Sequence, residues 1–114
     1  MGRKTNPMTP SMLAAVAAQF RVLAEPARLT LLQSLLAGEK NVGELVRATE
    51  MSQANTSKHL AVLAEAGFLA RRKEGTTVYY SVSDEAVFQL CDLMCSRVAR
   101  QAAADAAALR GRRR

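Results

Sequence analysis

Two polar segments of the chain contain the side chains best suited to bind another molecule. The first is the run Ser52-Gln53-Ala54-Asn55-Thr56-Ser57-Lys58. Glutamine and asparagine amides can bond bidentately to adenine, serine and threonine hydroxyls can meet bases or phosphates, and lysine can reach guanine or phosphate. Ser52 is a good helix cap, and a helix N-terminus favours phosphate. The run predicts a nucleic-acid contact, although a capped surface helix with solvated polar side chains would show the same pattern.

The second segment is Arg71-Arg72-Lys73, followed by Glu74-Gly75-Thr76. Neighbouring strand residues point to opposite faces, so some of these cations could reach a phosphate backbone or minor groove while others face solvent. Basic residues also protect an edge strand from aggregation. Because only a short connection separates this segment from the polar run, DNA contact is the favoured interpretation. The candidate DNA-binding residues are Gln53, Ala54, Asn55, Thr56, Ser57, Lys58, Arg71, Arg72, Lys73 and Thr76.

A cysteine pair, Cys91 and Cys95, is the third chemical feature. A spacing of four residues puts both sulfurs on one helical face. The two residues could be small buried apolar groups, since free cysteine often is. They could also form a thiol sensor, in which two copies of the chain supply four sulfurs to a soft metal or metalloid, or oxidise across a dimer. No cofactor is required, and a soft metal or metalloid at this pair is the candidate ligand.

The hydrophobic spacing predicts the elements that position these segments. Helices are expected to begin at Pro10 and Pro26, the second of them central in the core. Further helices are predicted from Asn41 to about Thr49, from Gln53 to Ala66, and from Glu85 onward. The period changes to that of strands over Phe68–Lys73 and Thr77–Val82, which Glu74-Gly75 joins as a turn.

Two short helices joined by a tight turn and followed by a hairpin are typical of a winged helix-turn-helix. In that arrangement the second helix enters the DNA major groove and the hairpin flanks it as a wing. The predicted fold class is therefore mainly α with a small β-hairpin, comprising about five helices and a two-stranded wing.

Composition limits the class of protein more than it identifies the function. One histidine and two cysteines among 114 residues exclude a zinc finger built from one chain and a disulfide scaffold. No apolar run approaches the length of a membrane span, so a cytoplasmic protein without a membrane partner is expected. The net charge of +6 is weak evidence for nucleic acid, because the excess lies at the termini. The six cations concerned are Arg3, Lys4, Arg110, Arg112, Arg113 and Arg114.

The predicted organisation is one domain with two terminal extensions. Residues 1–9 are expected to be a flexible N-terminal tail, and 10–100 a DNA-binding and dimerisation domain. Residues 101–114 are expected to be an alanine-rich helix extension with a basic tail. The first helix and the last helix present more apolar surface than one small core can cover. They are therefore predicted to form a homodimer interface.

Three motifs, in this order, resemble the ArsR/SmtB family of bacterial repressors. Phe20, Leu23 and the run Ala24-Glu25-Pro26-Ala27-Arg28-Leu29 are similar to the family's second-helix entry. Ser52-Gln53 through Ser57-Lys58-His59-Leu60, continuing to Gly67-Phe68-Leu69, resembles its recognition helix and exit. Arg71-Arg72-Lys73-Glu74-Gly75-Thr76-Thr77-Val78-Tyr79-Tyr80 resembles its wing, including the paired tyrosines.

The resemblance implies a dimeric repressor that binds an imperfect palindrome in double-stranded DNA and releases it when an inducer binds. It implies DNA contacts at Gln53, Ala54, Ser57, Lys58, Arg72 and Lys73. Ala54 stands where the family often has serine, so base preference could differ. We interpret His59 as a packing and hydrogen-bonding residue at the junction of helix and wing.

The effector sites common in the resembled family are absent from this sequence. No cysteine precedes Cys91, and the last helix contains no histidine. The second helix has Gln33 and Ser34 where persulfide-sensing relatives have a cysteine. The pair Cys91 and Cys95 is what remains as a sensor.

Three other functions stay open at this point. A winged-helix DNA-binding protein could be constitutive or regulated by another protein, with structural cysteines. A small basic helical module could bind acidic proteins. An enzyme could use Cys91 and Cys95 for redox chemistry, but no catalytic constellation is evident, since the only histidine lies in the proposed recognition helix.

Overall fold

A computed structural model describes residues 7–112 and shows five helices and three strands over that range. The elements are α1 (Pro10–Leu23), α2 (Pro26–Ser34), β1 (Lys40–Asn41), α3 (Val42–Thr49), α4 (Gln53–Glu65), β2 (Leu69–Glu74), β3 (Thr77–Val82) and α5 (Glu85–Arg112). The chain divides into two compact units at the Val82–Ser83 boundary. The predicted winged helix-turn-helix fold is confirmed, and its parts lie in the first unit.

Local capping fixes where the helices of the first unit begin. The Thr9 hydroxyl accepts from the Met12 backbone N–H at 3.2 Å, and a proline occupies the first turn of both α1 and α2. At the start of α3, Asn41 and Glu44 form a reciprocal capping box. The capping side chains satisfy backbone donors that the helices leave free, and each proline removes one such donor, so the starts follow from local sequence.

A leucine core holds α2, α3 and α4 together. Its most enclosed members are Leu31, Leu32, Leu35, Leu45, Leu60 and Leu63, all nearly inaccessible to solvent. The prediction that α2 lies centrally is confirmed by two of them, Leu31 and Leu32, and Leu35 is buried at the C-cap of the same helix. Leu29 and Leu36 remain exposed, so the apolar surface of this region exceeds what the described core covers.

The turn between α3 and α4 depends on one residue with a left-handed backbone. Glu50 has φ 58° and its N–H donates to the carbonyl of Val46 at 3.0 Å, which ends α3. This conformation is uncommon outside glycine. Ser52 then caps α4 by accepting from the Asn55 N–H at 3.1 Å. The sequence predicted an interruption here at Met51 and Ser52, but not the conformation of Glu50.

The wing belongs to a three-stranded antiparallel sheet in the order β1-β3-β2. The hairpin pairs Leu69 with Val82 and Glu74 with Thr77, and Gly75 has φ 62° in its turn. The strand β1, of two residues, was not predicted. It pairs Lys40 with Tyr80, and a segment so short shows no alternation of apolar residues.

The second unit is dominated by α5, a helix of 28 residues. The Asp84 carboxylate accepts from the Ala86 N–H at 2.6 Å at its beginning. Alanine favours helix, and α5 extends through the alanine-rich stretch to Arg112. Across residues 7–112, no helix is both long enough and apolar enough to cross a membrane.

The predicted terminal tails fall partly on residues 1–6 and 113–114, which lie outside the described range. The domain boundaries at residues 9 and 100 therefore stay predictions.

Candidate nucleic-acid interface

The first two turns of α4 present short polar side chains to solvent. Gln53, Ala54, Asn55, Ser57 and Lys58 are all exposed. Ser52 caps the helix by accepting from the Asn55 N–H, so these polar groups project from a capped first turn. The set has one cation, two amides and one hydroxyl, which suits hydrogen bonding to base edges and phosphates.

The prediction that Thr56 contacts DNA is wrong, because the Thr56 side chain is fully buried. Its hydroxyl donates to the backbone carbonyl of Ser52 at 2.8 Å. Thr56, Leu60 and Leu63 recur at helical spacing and share the inward face of α4. Thr56 therefore anchors the start of the helix in the core and cannot contact DNA.

A groove separates the start of α4 from the wing tip. It has a volume of about 420 Å³. Its lining residues are Asn41, Val42, Gly43, Gln53, Ser57, Thr76, Thr77 and Val78. Three predicted site residues, Gln53, Ser57 and Thr76, are thus brought together. The start of α3 also contributes residues to the groove. The sequence did not predict this contribution, because only tertiary packing places Asn41 and Gly43 beside the wing.

The three consecutive cations of the wing divide between two faces of the sheet. The register pairs Arg71 with Tyr80 and Lys73 with Val78, so these side chains share one face with the groove-lining Val78. Arg72 pairs with Tyr79 on the opposite face. All three cations are exposed, and the groove is lined both by Val78, on the face of Arg71 and Lys73, and by Thr77, on the face of Arg72.

Arg72 is held by two carboxylates and one aromatic ring. Its guanidinium donates to both Glu39 oxygens, at 2.7 and 3.0 Å, and to Glu74 at 2.5 Å. Its central carbon lies 4.5 Å from the Tyr79 ring centroid. The hydrogen bonds that Arg72 donates to Glu39 and then to Glu74 raise the pKa of its guanidinium, so Arg72 stays charged. The hydrogen bond from Arg72 lowers the pKa of Glu39, against a smaller effect of burial.

Glu39 is a site residue that sequence reasoning missed. It lies 33 positions before Arg72, in a loop without a motif of its own. The sequence interpretation placed Arg72 among the DNA contacts, and the structure gives it two anionic partners instead of a free charge.

His59 forms a hydrogen bond, as the sequence predicts. Its Nδ1 atom accepts from Nε of Arg28 on α2 at 3.3 Å, and Arg28 also donates to the carbonyl of Val22 at 3.2 Å. This bond joins α4 to α2. The place of His59 at the junction of helix and wing stays a prediction.

The two cysteines of α5 are free thiols, Cys91 partly buried and Cys95 exposed. Burial raises the pKa of Cys91, and the neighbouring Cys95 and Asp92 raise it further. A raised pKa keeps this thiol protonated at neutral pH, whereas metals bind the thiolate. Within residues 7–112, no group of three His, Cys, Asp or Glu side chains could hold a metal ion.

Two short helices, a tight turn and a wing beside an exposed polar helix start define a winged helix-turn-helix regulator of transcription. Comparison with known proteins identifies the family. Residues 25–71 match the model of the bacterial regulatory protein, arsR family. The chain is also 43% identical over 85 residues to the probable mercury resistance operon repressor of Streptomyces lividans, over 75% of this chain and 68% of that protein. The chain belongs to the ArsR family, whose members are DNA-binding regulators and not enzymes.

Two solved structures share the fold. One is the homodimeric winged helix-turn-helix domain, fragment 1–100, of Mb0332 from Mycobacterium bovis. It has a TM-score of 0.75 and 30% identity, over 89% of this chain and 93% of that one. The other is the AntR antimony-specific transcriptional repressor, with a TM-score of 0.77 and 26% identity, over 87% of this chain and 90% of that one. The predicted family, the fold class and the prediction that the protein is not an enzyme are confirmed.

Proposed function

We propose that this chain is a sequence-specific repressor that binds an imperfect palindrome in double-stranded DNA as a homodimer. It leaves that operator when an inducer acts. The observation that supports this most is the groove that Gln53 and Ser57 of α4 line together with Thr76 at the wing tip. An exposed recognition helix beside a basic hairpin is the arrangement that contacts the major groove and the adjacent backbone.

The proposed base contacts lie on α4. Gln53 and Asn55 have amides that can pair bidentately with adenine, and Lys58 can reach guanine or a phosphate. Ser57 donates to a base or a phosphate. Ala54 has no hydrogen-bonding group, so its base preference is limited to apolar contact, such as with a thymine methyl.

The proposed phosphate contacts lie on the wing. Arg71 and Lys73 share the sheet face that includes Val78 of the groove, and Thr76 is at the tip. Phosphate contacts position the protein without specifying sequence. The affinity that they supply should fall with salt, by a slope of about 0.9 for each phosphate neutralised.

Exposed apolar side chains on α1 and on α5 support the homodimer. Met12, Leu13 and Phe20 are each about half exposed on α1. On α5 the corresponding residues are Leu93, Met94 and Val98. Such surfaces favour a partner, and the homodimeric relative from Mycobacterium bovis offers a precedent for a second copy. We propose that both helices contact it.

The inducer is proposed to act at Cys91 and Cys95. Relatives named for mercury and antimony respond to soft, thiol-binding elements, which supports a soft metal or metalloid. A closed tetrahedral metal site needs four ligands. The two thiols of one chain therefore suffice only if a second copy of the chain supplies the other two. The raised pKa of Cys91 favours the second candidate: a DNA-binding protein whose cysteines are structural and whose activity is constitutive or controlled by another protein.

Footprinting on DNA selected from a random pool tests the proposed function. We expect protection of a palindrome whose half-sites lie about one helical turn apart. We also propose a cytoplasmic location and no membrane partner, which the proposed DNA binding supports. Weak binding without sequence preference would instead support a basic interaction module that binds acidic proteins.

A further inference from the structure

Arg72 connects all three strands of the sheet on the face opposite Val78. Its side chain begins on the edge strand β2, lies over Tyr79 of the central strand β3, and ends at Glu39, just before β1. Glu39 follows Gly38, which has a φ of 135° in the connection after α2. The guanidinium therefore joins the wing to the loop that enters the helix-turn-helix.

We propose that Arg72 is a positioning residue of the wing, which stays paired with Glu39 when the protein is bound to DNA. Arg71 and Lys73 then supply the phosphate contacts of the wing. The inference rests on the proposed DNA binding. It differs from the expectation, drawn from the family resemblance, that Arg72 itself contacts DNA.

The geometry of the cluster favours retention of Glu39 over exchange for phosphate. Glu39 accepts two parallel hydrogen bonds from Nε and Nη2, and Glu74 accepts a third from Nη1. Charge-assisted bidentate pairs are the strong members of their class. One face of the guanidinium lies over the Tyr79 ring, which adds a cation–π contact. A phosphate would have to displace these partners.

The net charge of the Arg72 cluster also favours retention of Glu39 over exchange for phosphate. Arg72 with Glu39 and Glu74 carries a net charge of −1, which repels a phosphate that approaches it. Arg71 and Lys73 lie on the other face, and among the described residues the ion pairs of the wing involve neither of them. Their charges are free to meet the DNA backbone.

The test compares single and double variants by the salt dependence of operator binding. The variants are Arg72→Gln, Glu39→Gln, their double, Arg71→Gln, Lys73→Gln, and Glu65→Gln as a control that removes the same charge from an exposed site on α4. Surface ion pairs stabilise modestly, so Arg72→Gln should weaken binding roughly two- to fivefold without changing the salt slope. Glu39→Gln should cause the same loss, and the double variant no more. Arg71→Gln and Lys73→Gln should each lower the slope by about 0.9.

Two outcomes would overturn the inference. One is a slope lowered by about 0.9 in Arg72→Gln, which marks a phosphate contact. The other is tighter binding in Glu39→Gln than in Glu65→Gln, which shows that Glu39 competes with DNA for Arg72.

Amide exchange in the DNA-free protein separates failure of this inference from failure of the proposed function. Arg72→Gln and Glu39→Gln should each accelerate exchange of the β2 and β3 amides to the same degree, and Glu65→Gln should not. Unchanged amide exchange in both variants contradicts the positioning role of Arg72, whether or not the protein proves able to bind an operator. Accelerated exchange in a protein that binds no operator supports the positioning role and contradicts the DNA-binding proposal.

Discussion

Arg28 on α2 donates from Nε to Nδ1 of His59 on α4 across 3.3 Å. This bond joins the helix that enters the core to the helix that presents the proposed base contacts. Because Nδ1 accepts, that nitrogen has no proton in this arrangement. The second bond of Arg28, to the Val22 carbonyl, extends the connection to α1.

Arg28→Met should lower the free energy of unfolding by about 1–3 kcal/mol, since both hydrogen bonds of a charged donor are lost. Urea unfolding followed by circular dichroism measures this. Arg97→Met, at an exposed position of α5, is the matched control and should change the value by less than about 0.5 kcal/mol. Equal effects in the two variants would show that the Arg28–His59 bond contributes nothing to stability.

Thr56→Val should lower stability by about 0.5–1.5 kcal/mol while leaving operator specificity unchanged. The buried hydroxyl is lost, but the Ser52 carbonyl still accepts from the residue 56 N–H, at 2.9 Å in the native protein. Ser57→Ala, one residue further on an exposed face, is the comparison for stability. If Thr56→Val reduced the preference for operator over random DNA without a stability loss, Thr56 would be a DNA contact after all.

Gln53→Ala should cost about 1–3 kcal/mol on the selected palindrome and little on random DNA, because a bidentate base contact is lost. Binding titrations on both DNAs measure the difference. Gln101→Ala, an exposed amide on α5, should leave both affinities unchanged. Equal losses of Gln53→Ala on the two DNAs would mean that Gln53 does not contact bases.

Cys91→Ser combined with Cys95→Ser should leave operator binding intact and abolish induction. DNA release is assayed with zinc, cadmium, arsenite, peroxide and polysulfide, each with and without reductant. Ser96→Ala, next to the pair and without a thiol, is the control. Normal release from the double variant would favour structural cysteines.

The Arg72–Glu39 pair should be lost at low pH. Arg72 lowers the pKa of Glu39 below its ordinary value of 4.5, so the folded state favours the ionised carboxylate. The contribution to stability is thus complete above pH 4.5 and disappears as the pH falls through the lowered value. Carboxyl NMR titration should show the Glu39 midpoint moving upward in Arg72→Gln, with Glu65 unmoved. An unchanged Glu39 midpoint would contradict the pairing in solution.

Much of the fold could be predicted because its determinants are local. Pro10, Pro26 and Ser52 mark helix starts through backbone geometry and capping, and Gly75 marks the turn of the hairpin. These signals act within a few residues of the chain. The polar start of α4 and its nearness to the wing followed from the same signals.

Partner choice could not be predicted in this way. Glu39 lies 33 residues from Arg72, and Arg28 lies 31 residues from His59. Nothing in either segment indicates the other, since their meeting depends on how the helices and the sheet pack. The burial of Thr56 could be predicted only in part. The helical spacing of Thr56, Leu60 and Leu63 is visible in the sequence, but a polar side chain is normally expected at the surface.

The order of elements, the family resemblance and the two segments from which DNA contact is proposed can all be read from the amino-acid sequence. Helix caps, turns and hydrophobic periodicity act over a few residues, and these signals sufficed. Which side chains of those segments are available to bind depends on tertiary packing. Packing buries Thr56 in the core, pairs Arg72 with Glu39 and brings Gln53 and Thr76 into one groove, because contacts between distant residues exist only after the chain has packed.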